Sequence, residues 1–345
     1  MAYTTIDKSS LHFNTKLWTG TGSSNAITGV GFQPDLLWIK SRSNTYSHSW
    51  TDAVRGKDNK IASNNSNAQY TDAGQLTSFD SDGFTLSTDA GVNNNGSTFV
   101  SWNWKANGAG SSNTDGTINS TVSVDTTSGF SIVSYTGNGT LGATVGHGLG
   151  QTPGLFITKR TSGTSSWGMY HQSTGAGGFM EMNGVSALQS NTAYFNNTAP
   201  TSSVFSIGTD SINNTSGSTY IAYCFAEKQG YSKFGSYTGN GNTDGSFVYT
   251  GFKPAFVMMK GYESGGSDNW NTCDNKRVGY NARNWRLYPN ANAGENSTSL
   301  VDLLSNGFKL KVSSTDVNAN AKGYIFMAFA EAPLVGSNNV PATAR

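Results

Sequence analysis

At 345 residues the chain is too long for one ordinary β domain and suits two or three. Charged residues make up only 12%, with 22 basic against 21 acidic, which excludes the electrostatic footprint that nucleic acid or an anionic membrane would require. The 42 glycines and the abundant Ser, Thr and Asn disfavour long helices, because those side chains compete for backbone hydrogen bonds, while 18 Phe, 15 Tyr and 8 Trp can fill several cores and exclude wholesale disorder.

The first ten residues, MAYTTIDKSS, carry neither a basic nor an apolar signal region, and nowhere does an apolar run approach the roughly 18 residues of a membrane-spanning helix. The expectation is a soluble chain made in the cytosol, with no membrane insertion. Cys224 and Cys273 lack metal-type spacing, and Cys224 reads as a small buried residue.

Taken along the chain, one order of anchors occurs three times. HFNTKLWTGTG (His12 to Gly22), FSIVSYTGNG (Phe130 to Gly139) and YSKFGSYTGNG (Tyr231 to Gly241) open the copies. GFQPDLLWIK, GQTPGLFITK and GFKPAFVMMK follow, beginning at Gly31, Gly150 and Gly251; their consecutive apolar residues predict central strands buried on both faces, each ending on a lysine. Trp50, Trp167 and Trp270 come next, then half-buried strands at Gly83 to Leu86, Val204 to Ile207 and Gly307 to Leu310. TFVSWNWKA, TYIAYCFAE and GYIFMAFAE close the copies, with Trp102 and Trp104, Tyr223 and Phe225, and Met327 and Phe329 on the one face expected to be core.

Units of about 105 residues with many short strands predict an all-β protein of three tandem antiparallel β-sandwich, jelly-roll or lectin-like units related as internal repeats. The boundaries read from the anchors are unit one at 1–106, a flexible polar linker at 107–128, unit two at 129–229, unit three at 230–332 and an extended tail at 333–345. Units two and three, joined with almost no slack, are expected to pack rigidly.

Gly137 to Gly142 satisfies G-x-G-x-x-G, but the glycines and proline that follow forbid the helix a phosphate cradle needs. An Asn-Gly hairpin turn is the expected reading. A glycosidase would need paired carboxylates, yet Glu227 and Glu331 fall at strand ends of different units. His12, His48, His147 and His171 lie in no nucleophile-elbow context. Asp80 and Asp82, followed by Gly83, contain the ingredients of a calcium loop, although the other copies carry Ser202-Ser203 and Ser305-Asn306 there and a polar turn accounts for them as well.

A pyranose needs an aromatic face with amide or carboxylate groups at its edge. Trp270 with Asn269 and Asp268 offers that combination, as does the insert GYNARNWRLYPN with Trp285 and Tyr288. Recurrence of the three tryptophans argues for a core role, since packing constrains every copy and a binding site need not. Trp285 carries no such argument.

QPDLLWIKSR, DAVRG, SFDSDGFTLS, FVSWNWKA, IAYCFAEKQGYSKFGSYTGNG, FVYTGFKPAFVMMK, DNKR, LLSNGFK and YIFMAFAEAPLVGSNNVPATAR together resemble a repeat domain of structural, tail-fibre-like proteins of marine tailed bacteriophages of the cyanophage type. The resemblance covers almost the whole chain. It implies a virion component assembled in the host cytoplasm, without enzyme activity or cofactor. Expected partners are other tail or capsid proteins, host-surface glycan and further copies of the chain, a trimer being favoured. Capsid decoration or a head fibre is the alternative, and a glycan-degrading enzyme the third. Heptads and a low-complexity shaft are missing, so a compact knob is expected.

Overall fold

The computed structural model describes residues 3–263, 268–277, 281, 285–298, 300–333 and 335. The fold is all-β, built of antiparallel sheets, with α-helices of four residues each at Ala90–Asn93, Thr192–Phe195 and Thr315–Asn318 among the described residues. Each helix is a capped single turn, its N-cap Asp89, Asn191 or Ser314 accepting from a backbone amide two residues on, and the Asn, Gly and Ser around it offer no apolar stripe to extend it.

The anchors fall at matching register positions. Phe13–Thr19 pairs with the closing strand Thr98–Trp104, which pairs with Leu36–Ser41, which pairs with Ser49–Asp52. The same order joins Phe130–Thr136, Thr219–Phe225, Leu155–Arg160 and Trp167–His171, and again Ser232–Thr238, Gly323–Pro333, Phe252–Gly261 and Asn271–Asp274. Leu36 lies between Trp104 and Asp52, Leu155 between Phe225 and His171, and Phe256 between Phe329 and Asp274.

One cluster of buried side chains draws on all three strand sets, among them Trp38, Trp102 and Trp104, Ile157, Tyr223 and Phe225, and Phe256, Met258 and Phe329. The other faces of the closing strands are buried too: Phe99 packs with the strands Asn25–Thr28, Leu76–Asp80 and Gly83–Leu86, Ala222 and Cys224 with Phe205, and Phe326 and Ala328 with Phe308. The expectation of one core face is therefore corrected to two, which is why the outward Ser101 and Asn103 are as buried as their apolar neighbours.

Residues 107–128 differ from the flexible linker expected there. Ser120–Asp125 pairs along its length with Phe130–Thr136, and Ser111–Asn113 adds outside it, extending that sheet to eight strands. Val122 and Ile118 are buried in its core; the alternation S-T-V-S-V-D is a half-buried strand hidden in a Ser- and Thr-rich sequence.

The opening TGNG and TGTG motifs also differ from the hairpin expected. Phe130–Thr136 and the following Ala143–Gly146 belong to different sheets, so the chain crosses between layers there. Gly22, Gly139 and Gly241 take positive φ of 68, 70 and 66°, as a left-handed turn requires. A buried asparagine holds each loop: Asn93 accepts from the Thr21 amide, Asn214 from Asn138 and Gly139, and Asn318 from Asn240. Their amide groups donate to carbonyls, Asn93 to Ser23 and Ser87, Asn214 to Thr140 and Gly208, and Asn318 to Asn242 and Val312.

Polar contacts close the three sets into a ring. Trp167 Nε1 donates to Ala62 O at 3.0 Å, Trp270 Nε1 to Glu181 O at 2.9 Å, and Arg42 Nε to Glu295 Oε1 at 2.8 Å. The strand-ending lysines are buried against carbonyls: Lys40 on Ser41 and Asn44, Lys159 on Ser66 and Ser165, Lys260 on Val185 and Asp268. Burial lowers their pKa values, Lys40 and Lys260 to about 8 and Lys159 to about 7.

Asp52, His171 and Asp274 share a register position, and each meets a closing strand of another set. Tyr223 donates its hydroxyl to Asp52 and Trp102 its Nε1 to Asp274, whereas His171 Nε2 faces the Phe326 carbonyl at 3.2 Å. The residue of that strand matching Tyr223 and Trp102 is Met327, which has no proton to give, and Thr174 stands where Arg55 and Arg277 pair with Asp52 and Asp274, so a carboxylate at 171 would lack both its counter-charge and its cross-set donor. Burial lowers His171 to about 4, below the ordinary 6.5. Between those values the unfolded chain binds a proton that the folded chain refuses, so stability falls as pH drops from about 6.5 to about 4, by on the order of 3 kcal/mol. Urea unfolding across that range checks this; a His171→Asn variant is expected to reduce the slope, leaving the part that belongs to His48, which burial lowers further.

Candidate functional site

Of the residues singled out around Trp270, Trp270 itself and Asp268 are interior and Asn269 is half-buried between them. Trp270 is buried in the shared core with its Nε1 on Glu181, so its face is closed to a sugar. Asp268 is buried, its carboxylate paired with Lys322 and its carbonyl holding Lys260. Asn269 accepts from Asn290 Nδ2 at 2.9 Å, and its amide donates to Asp316. The cause is the one that recurrence suggested: Trp50, Trp167 and Trp270 are core in all three sets.

Trp285 is at the surface, 38% exposed, with the Arg42 guanidinium carbon 5.3 Å from its ring centroid. Tyr288 is half-buried beneath Arg286 at 4.9 Å, and Arg286 in turn bonds Asn271 and Asp316. Cation–π contacts of this kind hold the rings in place and occupy a face that a sugar would need. Trp285 and Tyr288 are thus each stacked with an arginine, while Trp270 and Asp268 are buried.

Asp80 accepts from the Ser78 and Thr85 hydroxyls, both at 2.7 Å. Asp82 accepts from the amides of Gly29 and Gly31, and those bonds hold its carboxyl below the ordinary carboxylate range. The two carboxylates serve different neighbours within a turn, and among the described residues no group of three or more His, Cys, Asp and Glu is placed to hold a metal ion. Cys224 and Cys273 are both buried and are not joined in a disulfide.

The other titratable groups weighed for catalysis are committed to structure. His48 accepts from Trp38 Nε1 at 2.8 Å and faces the Tyr288 carbonyl; burial and the Lys40 charge lower it to about 3. His147 accepts from the Leu149 amide, and His12 pairs with Asp125 at 2.6 Å. Glu331 pairs with Lys253, and Glu295 with Arg42 and Arg277. After the Gly137 to Gly142 motif the chain continues as the strand Ala143–Gly146, so no helix N-terminus exists there for a phosphate.

A concave surface not singled out from sequence lies beside the strand Phe247–Tyr249. Two depressions of about 440 and 560 Å³ share Lys233 and Tyr249 in their walls. Val248 points into the core between Phe247 and Tyr249, which are 47% and 58% exposed on the same face. Glu227, Gln172 and Lys233 form the polar side. The available signal was the alternation in SFVYTG, whose outward positions are aromatic.

Residues 8–333 match a domain of unknown function, DUF7483. No curated protein and no solved structure matches the chain.

Proposed function

The chain belongs to the DUF7483 family, and from the resemblance carried by its repeated sequence anchors we propose that it is a non-enzymatic structural protein of a bacteriophage virion, exposed on the particle and acting as a tail-fibre-like adhesive module for host-surface glycan. One observation carries the reading: the recurrent tryptophans Trp50, Trp167 and Trp270 fill the interior, whereas Phe247, Tyr249 and Trp285 are exposed. Exposed aromatics set among Asn, Ser, Thr and Gly give a surface rigid, amphipathic contact area at low entropic cost, and the few charged side chains leave hydrogen bonding as the polar contribution.

The proposal includes the architecture: three sandwich units written on one plan, which meet through their inner sheets. The matching strand orders and the shared positions of Leu36, Leu155 and Phe256 support it. A chain that brings three such sheets to one core is the compact knob suited to a fibre tip, and tail proteins and further copies of the chain, as a trimer, are the proposed neighbours.

The test is retention of the full chain on a glycan array and on host cells, with an antibody to the chain used to label intact particles. Label at the tail tip with glycan retention is expected. Label spread over the capsid, with a blank array and no cell binding, would favour a decoration protein instead.

A further inference from the structure

We propose that the cleft along Phe247–Tyr249 is a binding site for a neutral, pyranose-containing saccharide, with the two aromatic rings as its apolar platform and the Lys233–Glu227 pair as its polar clamp. This assignment rests on the adhesive reading above and gives it a place and a ligand class.

The first argument comes from the corresponding strands. Val248 lies opposite Phe308, as Ile27 lies opposite Phe84 and Val145 opposite Phe205, and all three are buried. The fold therefore requires an apolar residue at this position. On either side, the other two strands carry Ala26 with Thr28 and Thr144 with Gly146, so packing does not require aromatics at 247 and 249. Two exposed rings on one short strand have an energetic cost in water that the architecture does not explain, which is the signature of a contact surface.

The second argument is a polar edge held in place before any ligand arrives. Glu227 Oε1 accepts from the Phe234 amide at 2.8 Å and from Gln172 Nε2 at 2.9 Å, and Oε2 accepts from Lys233 Nζ at 3.3 Å. Gln172 Nε2 also donates to the Phe234 carbonyl at 2.6 Å, which fixes its amide. The carboxylate and the ammonium both stay partly exposed, at 28% and 42%. Neighbouring sugar hydroxyls donate to a carboxylate and accept from an ammonium, so one such pair clamps a diol.

Charge balance selects the class. Lys233 and Glu227 cancel, leaving no excess positive charge for a phosphate, sulfate or uronate, and an anionic ligand would meet the Glu227 carboxylate. A neutral sugar uses both members of the pair and places its C–H face on Tyr249 or Phe247. The depressions are of the size of small-ligand sites, about 300–1,000 Å³. Tyr3 lines the second one, its hydroxyl donating to the Gly251 carbonyl at 3.0 Å, so the groove continues beyond Tyr249.

The experiment presents the full chain to an array of neutral hexose oligosaccharides beside sulfated and uronate-containing ones, then titrates the best neutral oligosaccharide in a calorimeter. The variants are Tyr249→Thr and Phe247→Ala, which install the residues found at the matching register of the first copy, and Leu141→Ser as a comparably exposed control. Neutral glycans are expected to be retained, with affinity falling about tenfold for Tyr249→Thr and further for the pair, on the scale of lost aromatic contacts. Unchanged melting of these variants would attribute the loss to the site. Retention unaffected by the pair, or abolished by Trp285→Ala alone, would overturn the assignment while leaving adhesion standing. A blank array would overturn both, as would retention of anionic glycans alone overturn the ligand class. Concentration-dependent self-association abolished by the pair, without glycan retention, would reassign the patch to contact between copies.

Discussion

Asp274→Ala is expected to lower the stability of the whole protein by about 3–5 kcal/mol in urea unfolding, the scale of breaking a buried ion pair. The Asp274 carboxylate accepts from Arg277 Nε at 2.5 Å and Trp102 Nε1 at 3.1 Å through one oxygen, and from the amides of Lys276 and Arg277 through the other. Burial alone would raise its pKa, but the Arg277 guanidinium and these donors override burial and hold the carboxyl below its ordinary range. With Asp274 gone, a guanidinium whose side chain is 1% exposed keeps Glu295, the Thr272 carbonyl and the Trp102 face, and loses its closest counter-charge. Asp274→Leu combined with Arg277→Met is expected to recover much of the loss, because an apolar pair of similar volume carries no desolvation penalty. Lys57→Ala breaks an exposed pair with Asp58 and is expected to cost less than about 1 kcal/mol. Equal losses for Asp274→Ala and Lys57→Ala would mean that the interior around Arg277 is wet.

The DAVRG and DNKR strings that hold these pairs were visible in the sequence, but their meaning was not. Asp52 and Arg55 lie three residues apart, as do Asp274 and Arg277, and either pair could have been a solvated turn. What buries them is the neighbouring set: Arg55 reaches Tyr223, and Asp274 receives Trp102. Such contacts span 168 and 172 residues, and no local pattern encodes them. Strand positions were legible for the opposite reason, since a proline, an apolar run and a terminal lysine are local signals. The lysines read as strand ends in sequence and proved to be buried carbonyl caps, a role that needs the loops Ser66 and Val185 supply from elsewhere.

The same limit governed the site. Recurrence argued for a core role for Trp50, Trp167 and Trp270, because packing is common to every copy, yet Trp270 still stood among the candidate platforms and its burial removes it from them. It did not expose Phe247 and Tyr249, which look like an ordinary strand alternation until the register beside Ala26 and Thr28 shows that their size is unneeded. Trp285 and Tyr288 were legible as a distinctive insert, whereas the Arg42 that covers Trp285 is 243 residues away in the chain and comes from the first set. The strand Ser120–Asp125 was missed for a compositional reason: its polar outward residues match those of a linker, and only Val122 and Val124 mark the inward face.

Trp104→Ala is expected to cost about 3–5 kcal/mol, the range for removing a buried tryptophan, and to lower a single unfolding transition of the entire chain. Its ring lies 4.9 Å from Phe13, 6.2 Å from Phe225 and 5.9 Å from Phe256, so one side chain touches all three strand sets. Sandwiches joined like beads would melt separately, and the variant would then displace one transition of several. A common interior forbids that: unfolding the first set strips Phe225, Phe256 and Phe329 of their partners, and exposure of that apolar area destabilises the remaining sets at once. Differential scanning calorimetry distinguishes the two cases through the ratio of calorimetric to van't Hoff enthalpy, which is expected near unity for parent and variant alike. Trp18→Ala serves as the comparison, since Trp18 packs at the edge of the cluster beneath the first set, on Phe84 and Phe99, and its loss is expected to be smaller. A ratio well above one, with Trp104→Ala shifting only part of the heat, would mean that the three sets fold independently and that the shared core contributes little to holding them together.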